Sequence, residues 1–247
     1  MEGAMALGRP RWPSTATLPR LNDHLGCLVV SNHLRGRLCQ QLAGGPGRSL
    51  DAGERLYTMG HPASAVYLVR RGLLKTGVVS PGGQEVTLRL YAPGDILGEL
   101  CLCTGERREE AVALEASEVV EIPLSTLLRR VRQDPQSALE LASAICEHLA
   151  DAHEGLRNLV FIPVPERLAR VLLGLADRLG ETGSAGERIK YYITQEELAR
   201  MIGARREVVS GLLNRLRSEG LISYTRRGHI QVNREALQAY VDSISER

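Results

Sequence analysis

Seven apolar residues, Ala138, Ala142, Ile145, Leu149, Ala152, Leu156 and Leu159, follow one another at alternating spacings of four and three. That is a period of about 3.5 residues, the mark of a helix that lays an apolar seam against a second helix. A helix packed on its own domain can also hide an apolar face, and Leu139 and Leu141 offer one on another side. The regular seam asks for more than that, and an identical seam covers it best, so the spacing predicts a parallel homodimer. The run Phe161-Ile-Pro-Val-Pro165 ends the pattern, because proline lacks an amide donor and clashes inside a helix. A dimerisation helix is therefore expected over 135–162.

The chain before this helix has a different punctuation. Glycines interrupt it repeatedly between Ser49 and Pro123, and short β-rich runs such as AVYLVRRG and EVTLRLYAPG lie between them. Short strands at regular spacing predict a β roll or jelly roll. SPGGQE, Ser80 to Glu85, is a hairpin signal, and a short helix is expected from about His33 to Leu42. The roll is placed within 25–134, behind a mobile leader over 1–24 that lacks the apolar core of a signal peptide. No apolar run approaches the ~18 residues that span a bilayer, so no membrane is expected and the location is read as cytoplasmic. Five cysteines, an odd number, argue against a disulfide framework.

Behind the prolines, over 163–247, the pattern is helical again. ERLARVLLGLADRLG is an amphipathic helix closed by Gly180, and ETGSAGER reads as a flexible loop. Thr194 with Glu197 fits a capping box, Gly203 ends the helix it opens, and a second helix runs from about Arg206 to Glu219. Two short helices joined by a tight glycine turn form a helix-turn-helix. LISYTRRGHIQV then reads as a wing with Arg226, Arg227 and Gly228 at its tip. Between Lys190 and Ile230 there are eight basic and four acidic residues, a local excess of four in a chain of net charge +2. That excess sits on the second helix and the wing, where DNA phosphates would lie. The whole is an α+β chain: roll, long dimerisation helix, winged helix-turn-helix.

GERLYTMGHPASAVYLVRRGLLKT, YAPGDILGEL, AVALEASEVVEIP, RLARVLLGLA and ITQEELARMIGARREVVSGLLNRLRSEGLI occur in this order. In them the chain resembles the Crp/Fnr superfamily of bacterial transcription regulators. The resemblance implies a cyclic-nucleotide-binding-type roll, a reader for a two-fold symmetric operator in double-stranded DNA, and RNA polymerase as a partner. It places base contacts on Arg206 and Glu207, which suit guanine and the cytosine amino group. Arg205 replaces the usual capping hydroxyl and is expected on phosphate, and Gly211 replaces a second arginine, so the operator should depart from the familiar consensus. Ser210, Asn214 and Arg215 are further candidates, with Arg226 and Arg227 on the backbone beside the wing.

The resemblance also implies an effector pocket around Gly98, Glu99, Leu100, Arg107 and Arg108, with Ala152 and His153 where relatives read a purine. Gly98 to Leu100 would open a short helix whose amides seat an anion. Residues at i and i+2 share a strand face, so Arg107, Glu109, Ala111 and Ala113 are expected inside the roll. Glu109 beside Arg107 would occupy the guanidinium and repel a phosphate. Cyclic AMP and cyclic GMP are accordingly disfavoured as effectors, some other small molecule is favoured, and a constitutive regulator with a degenerate pocket stays open. Cys101 and Cys103 are read as apolar filler before redox or metal ligands. No metal is expected, haem through His24, His33 or His61 stays open, and no nucleophile–base or cupin-type cluster points to an enzyme.

Overall fold

The computed structural model describes residues 37–183, 186–225 and 228–245. The leader, Cys27, His24, His33 and the wing-tip pair Arg226 and Arg227 lie outside the described residues, as does the first part of the helix expected from His33. Within them, α1 (Arg37–Leu42) leads into β1 (Gly47–Leu50), β2 (Arg55–Tyr57), β3 (Ala65–Arg71), β4 (Leu74–Val79), β5 (Glu85–Tyr91) and β6 (Ile96–Leu97). A single-turn helix α2 (Cys101–Thr104), β7 (Glu110–Ala113) and β8 (Ser117–Pro123) complete the roll. Its two antiparallel four-stranded sheets have the orders β1-β8-β3-β6 and β2-β7-β4-β5. Tyr57, Tyr67, Leu74, Tyr91 and Leu97 fill the space between them. SPGGQE closes the β4–β5 hairpin, with Ser80 and Gln84 bonded backbone to backbone.

The β4–β5 hairpin is irregular. Thr76 pairs with Arg89 but Gly77 pairs with Thr87, so Leu88 is an extra residue, a bulge. It turns Thr87 to the outer face of the sheet and Arg89 to the inner face, where plain alternation would align them.

Helix α3 (Leu124–Gln133) is followed by α4 (Pro135–Phe161), which Asp134 caps by accepting from the Gln136 amide. Two faces of α4 run in parallel. Ser137, Leu141, Ala144, His148, Asp151, Gly155 and Asn158 turn toward the rest of the chain, and the seam lies one residue behind each of them. Leu141 and Ala144 join the core that α1 and α3 share with β3 and β8. Leu139 does not pack inward as expected; it is exposed, as are the seam residues Ile145, Leu149, Leu156 and Leu159. Ala142 and Ala152 on the same line are exposed too. Arg167 caps the end of α4, donating from Nη1 to the carbonyls of Leu159 and Ile162, 3.1 Å each.

The last part comprises α5 (Val164–Leu179), β9 (Gly180–Gly183), β10 (Gly186–Ile189), α6 (Gln195–Ile202), α7 (Arg206–Ser218), β11 (Ile222–Ser223), β12 (Gln231–Val232) and α8 (Arg234–Ser245). The stretch read as a flexible loop is instead the β9–β10 hairpin, held in a sheet of order β11-β12-β10-β9. Gly180 closes α5 for a steric reason: a Cβ there would come within 2.1 Å of the Ala176 carbonyl oxygen. Among the described residues, no helix is long and apolar enough to cross a membrane.

Candidate functional site

Helix α7 is built to show one side. Val209, Leu213 and Leu216 are buried at spacings of four and three, which fixes the other side outward. Arg205, Arg206, Glu207, Gly211, Asn214 and Arg215 are all exposed there, and Ser210 is half-buried. Arg205 precedes the helix without a side-chain cap. Arg206 and Glu207 make no hydrogen bond or ion pair among the described residues. Arg215 is tied to Glu219 at 2.8 Å. Asn214 accepts from Arg217 at 3.2 Å and from the Tyr224 hydroxyl at 3.3 Å. Arginine is a donor only, so this arrangement leaves the Asn214 NH₂ group to face outward. Tyr224, with Arg217 stacked 4.9 Å from its ring centre, was not foreseen from the sequence.

Helix α6 begins as expected, the Glu197 amide donating to the Thr194 hydroxyl at 3.0 Å. The rest of the capping box is diverted. The Glu197 carboxylate, 3 % exposed, crosses to the roll, where it takes Lys75 at 2.7 Å and the Thr87 hydroxyl. Arg200 lies 3.5 Å from Glu197 and 3.1 Å from Glu85. Leu73 and Leu90 of the outer roll face join the core of the reading head around this cluster. Arg200, counted among the bases of the head, is thus spent on the joint between domains.

The inner face holds the second polar cluster. Arg107 and Glu109 are both buried, but on the turn just before β7 rather than in a strand, and they do not pair. The Arg107 guanidinium donates to the carbonyls of Gly98 at 3.2 Å and Ala65 at 2.7 Å. It also lies 4.1 Å from the Tyr57 ring centre and 5.3 Å from that of Tyr67. The proposed neutralisation of Arg107 by Glu109 is therefore corrected: two carbonyls and two rings occupy it first. Gly98 is required here, since φ is +84° and a Cβ would meet Arg107 Nη1 at 2.4 Å. The Tyr57 hydroxyl donates to Glu109 at 3.4 Å. Burial, then the Glu99 carboxylate, push the Glu109 carboxyl up to about 7, against the Thr76 and Tyr57 hydroxyls and Arg89. The Thr76 hydroxyl is close enough to favour the ionised form, yet among the described residues it meets no partner in hydrogen-bonding geometry.

Helix α4 closes the cluster. Glu99 Oε1 lies 2.8 Å from His148 Nδ1, and Arg89 Nη1 lies 3.0 Å from Asp151. Glu99 Oε2, Arg89 Nε and Arg89 Nη2 are buried without a partner among the described residues. The expected purine reader looks different from this. Just beyond the expected anion seat at Gly98 to Leu100, the amides of Cys101, Leu102 and Cys103 donate to the carbonyls of Gly98, Glu99 and Leu100. Leu100 is 44 % exposed, and Arg108 and His153 point to solvent. Cys101 is buried with its thiol pushed up by burial, Cys103 is exposed, and no group of metal-ligating side chains gathers among the described residues. Arg89, His148, Asp151, Tyr57 and Tyr91 were missed. One signal was available: His148 and Asp151 are polar residues on the line that also carries Leu141, Ala144 and Gly155.

Residues 47–134 match the family model of the cyclic nucleotide-binding domain, and residues 166–240 that of the Crp-like helix-turn-helix domain. The cyclic AMP receptor protein of Thermus thermophilus is 34% identical over 191 residues, 74% of this chain and 85% of that one. The anaerobic regulatory protein of Bacillus subtilis is 31% identical over 185 residues, 74% of this chain and 78% of that one. A solved structure of a CRP/FNR-family transcriptional regulator, also from Thermus thermophilus, superposes with a TM-score of 0.66 at 27% identity, covering 80% of this chain and 98% of that chain.

Proposed function

We propose that this chain, which belongs to the Crp/Fnr superfamily of DNA-binding transcription regulators, works in the cytoplasm as a homodimer whose grip on DNA is gated by a small effector other than cyclic AMP. Two α7 helices would enter successive major grooves of a two-fold symmetric operator, about one turn apart. Arg206 would pair with guanine and Glu207 with the cytosine amino group, while Arg205 and the wing hold phosphates. Gly211 has only open space around it, so one base contact available to relatives is absent. RNA polymerase would be the partner through which transcription responds.

The observation that carries the gating is the double face of α4. His148 and Asp151 pair inward with Glu99 and Arg89, and the exposed seam one residue behind faces outward. Anything that changes the inner cluster moves the helix that sets the dimer, and with it the spacing of the two readers. Family membership leaves the effector open, because relatives of similar identity carry names as different as cyclic AMP receptor protein and anaerobic regulatory protein. Arg107 already donates to the carbonyls of Gly98 and Ala65 and stacks near two tyrosine rings, which speaks against a phosphate beside it.

The test is an operator selected from random duplex DNA, with binding followed with and without metabolite extract. Effector gating predicts an affinity that changes with extract; unchanged, tight binding favours the constitutive alternative. Replacing Leu149 and Leu156 together by glutamate should abolish dimers and specific binding at once. Micromolar binding of cyclic AMP or cyclic GMP in isothermal titration would overturn the choice of effector.

A further inference from the structure

We propose that Arg89, and not Arg107, receives the anionic end of the effector, and that this effector is a small carboxylate with a hydroxyl or amino group beside its carboxyl. The inference rests on the effector-gated reading and names the ligand class for the same cluster.

Arg89 is buried, and Asp151 takes only its Nη1 edge, at 3.0 Å. The other edge, Nε with Nη2, carries two parallel N–H groups that nothing among the described residues accepts. That edge is the fork that fits the two oxygens of a carboxylate or phosphate. Burying both donors without an acceptor is costly, so the edge has the make-up of a ligand-holding group. Two more orphan atoms belong to the same inner face: the Thr76 hydroxyl, whose residue pairs with Arg89 across the strands, and Glu99 Oε2. Glu99 Oε1 is held by His148, so Oε2 is oriented and waits for a donor.

The supply of donors separates carboxylate from phosphodiester. A phosphodiester displays four oxygens and is met by many N–H groups. Here the amides of Cys101, Leu102 and Cys103 are consumed within their own turn, and Arg107 already gives two of its five N–H groups to carbonyls. On this face the Arg89 fork and the Thr76 hydroxyl are the buried side-chain donors left without a partner among the described residues, enough for two oxygens. Glu99 Oε2 then asks for a donor on the same ligand, which an α-hydroxy or α-amino group supplies.

The experiment uses the full chain. L-lactate, D-glycerate, L-alanine, acetate and cyclic AMP are titrated calorimetrically, and the Arg89 Nε–H resonance is followed in protein labelled with ¹⁵N-arginine. A hydroxy or amino carboxylate should bind about ten-fold or more tightly than acetate and should move the Arg89 signal. Arg89→Lys should weaken that binding about ten-fold or more, because lysine lacks the fork, while Arg132→Gln on the exposed side of α3 leaves it unchanged. The proposal falls if no carboxylate moves the Arg89 signal at about 10 mM, if cyclic AMP binds more tightly than every carboxylate, or if Arg89→Lys binds like the wild type. The resonance is read on unaltered protein, so poor folding of the variant does not blunt the test. Operator affinity is measured separately. A carboxylate that shifts Arg89 but leaves operator affinity unchanged would uphold the site and break the gating.

Discussion

The β4–β5 hairpin has two polar faces, and they are finished differently. On the outer face Lys75, Thr87, Glu85, Arg200 and Glu197 satisfy one another across the joint between roll and reading head. On the inner face Thr76, Arg89 and Glu99 each keep a buried atom without a partner among the described residues. The same two strands and the same bulge produce both. A face that joins two parts of one chain can be completed by the chain. A face with donors and acceptors left over is complete only with something added. The difference marks which side transmits and which side receives.

The largest effect should come from breaking the closed face. Lys75→Met leaves the Glu197 carboxylate buried with Arg200 as its remaining cation and the Thr87 hydroxyl as its donor, and such one-sided removals cost about 3 to 5 kcal/mol. Urea unfolding should show that loss. The double replacement Lys75→Met with Glu197→Leu should recover most of it, because an apolar pair of similar volume fits the Leu73 and Leu90 surroundings. A single-variant cost below about 1 kcal/mol would mean that the outer cluster is solvated and the contrast false.

The open face should announce itself through pH. Glu109 is raised from 4.5 to about 7 in the folded chain, so the native state holds its proton more tightly than the unfolded state. Stability from this group is complete below about pH 4.5 and drains away as pH rises through about 7, on the order of 3 kcal/mol in all. The groups that set this face are Tyr57, Thr76, Arg89, Glu99 and Arg107. The measurement is the difference in unfolding free energy between wild type and Glu109→Gln from pH 5 to pH 8. The difference should grow in favour of glutamine as pH rises; a flat difference would show that Glu109 is ionised throughout.

Much of the fold was legible because it is written in local periods. The seam of α4, the α6–α7 turn at Gly203 and the Ser80 hairpin each follow from spacing and turn chemistry within a few residues. The β9–β10 hairpin was not legible, since its glycines and glutamates lack strand propensity and it is held by pairing with β12. The site was half legible. The burial of Arg107 and Glu109 was legible from their alternation with Ala111 and Ala113, although both residues precede β7. Their partners did not, because Tyr57 and Tyr67 arrive from other strands and Lys75 meets Glu197 across 122 residues of chain. The bulge at Leu88 hid Arg89 altogether, since simple alternation puts it on the face of Thr87.

The smallest effect is the most direct comparison of the two faces, because it removes one hydroxyl from each. Thr87 donates to the buried Glu197 carboxylate, so Thr87→Val should cost about 1.5 to 3 kcal/mol. The Thr76 hydroxyl has no partner among the described residues, so Thr76→Val removes an unpaired polar atom at constant shape and should be neutral or slightly stabilising. Both sit in the β4–β5 hairpin, where valine suits the backbone as well as threonine does. The gap between the two variants therefore reads the difference in completion and little else. If Thr76→Val costs as much as Thr87→Val, its hydroxyl is already bonded, most directly to Glu109, and the inner face is closed. If it costs nothing alone but weakens binding of a carboxylate, the hydroxyl belongs to the guest.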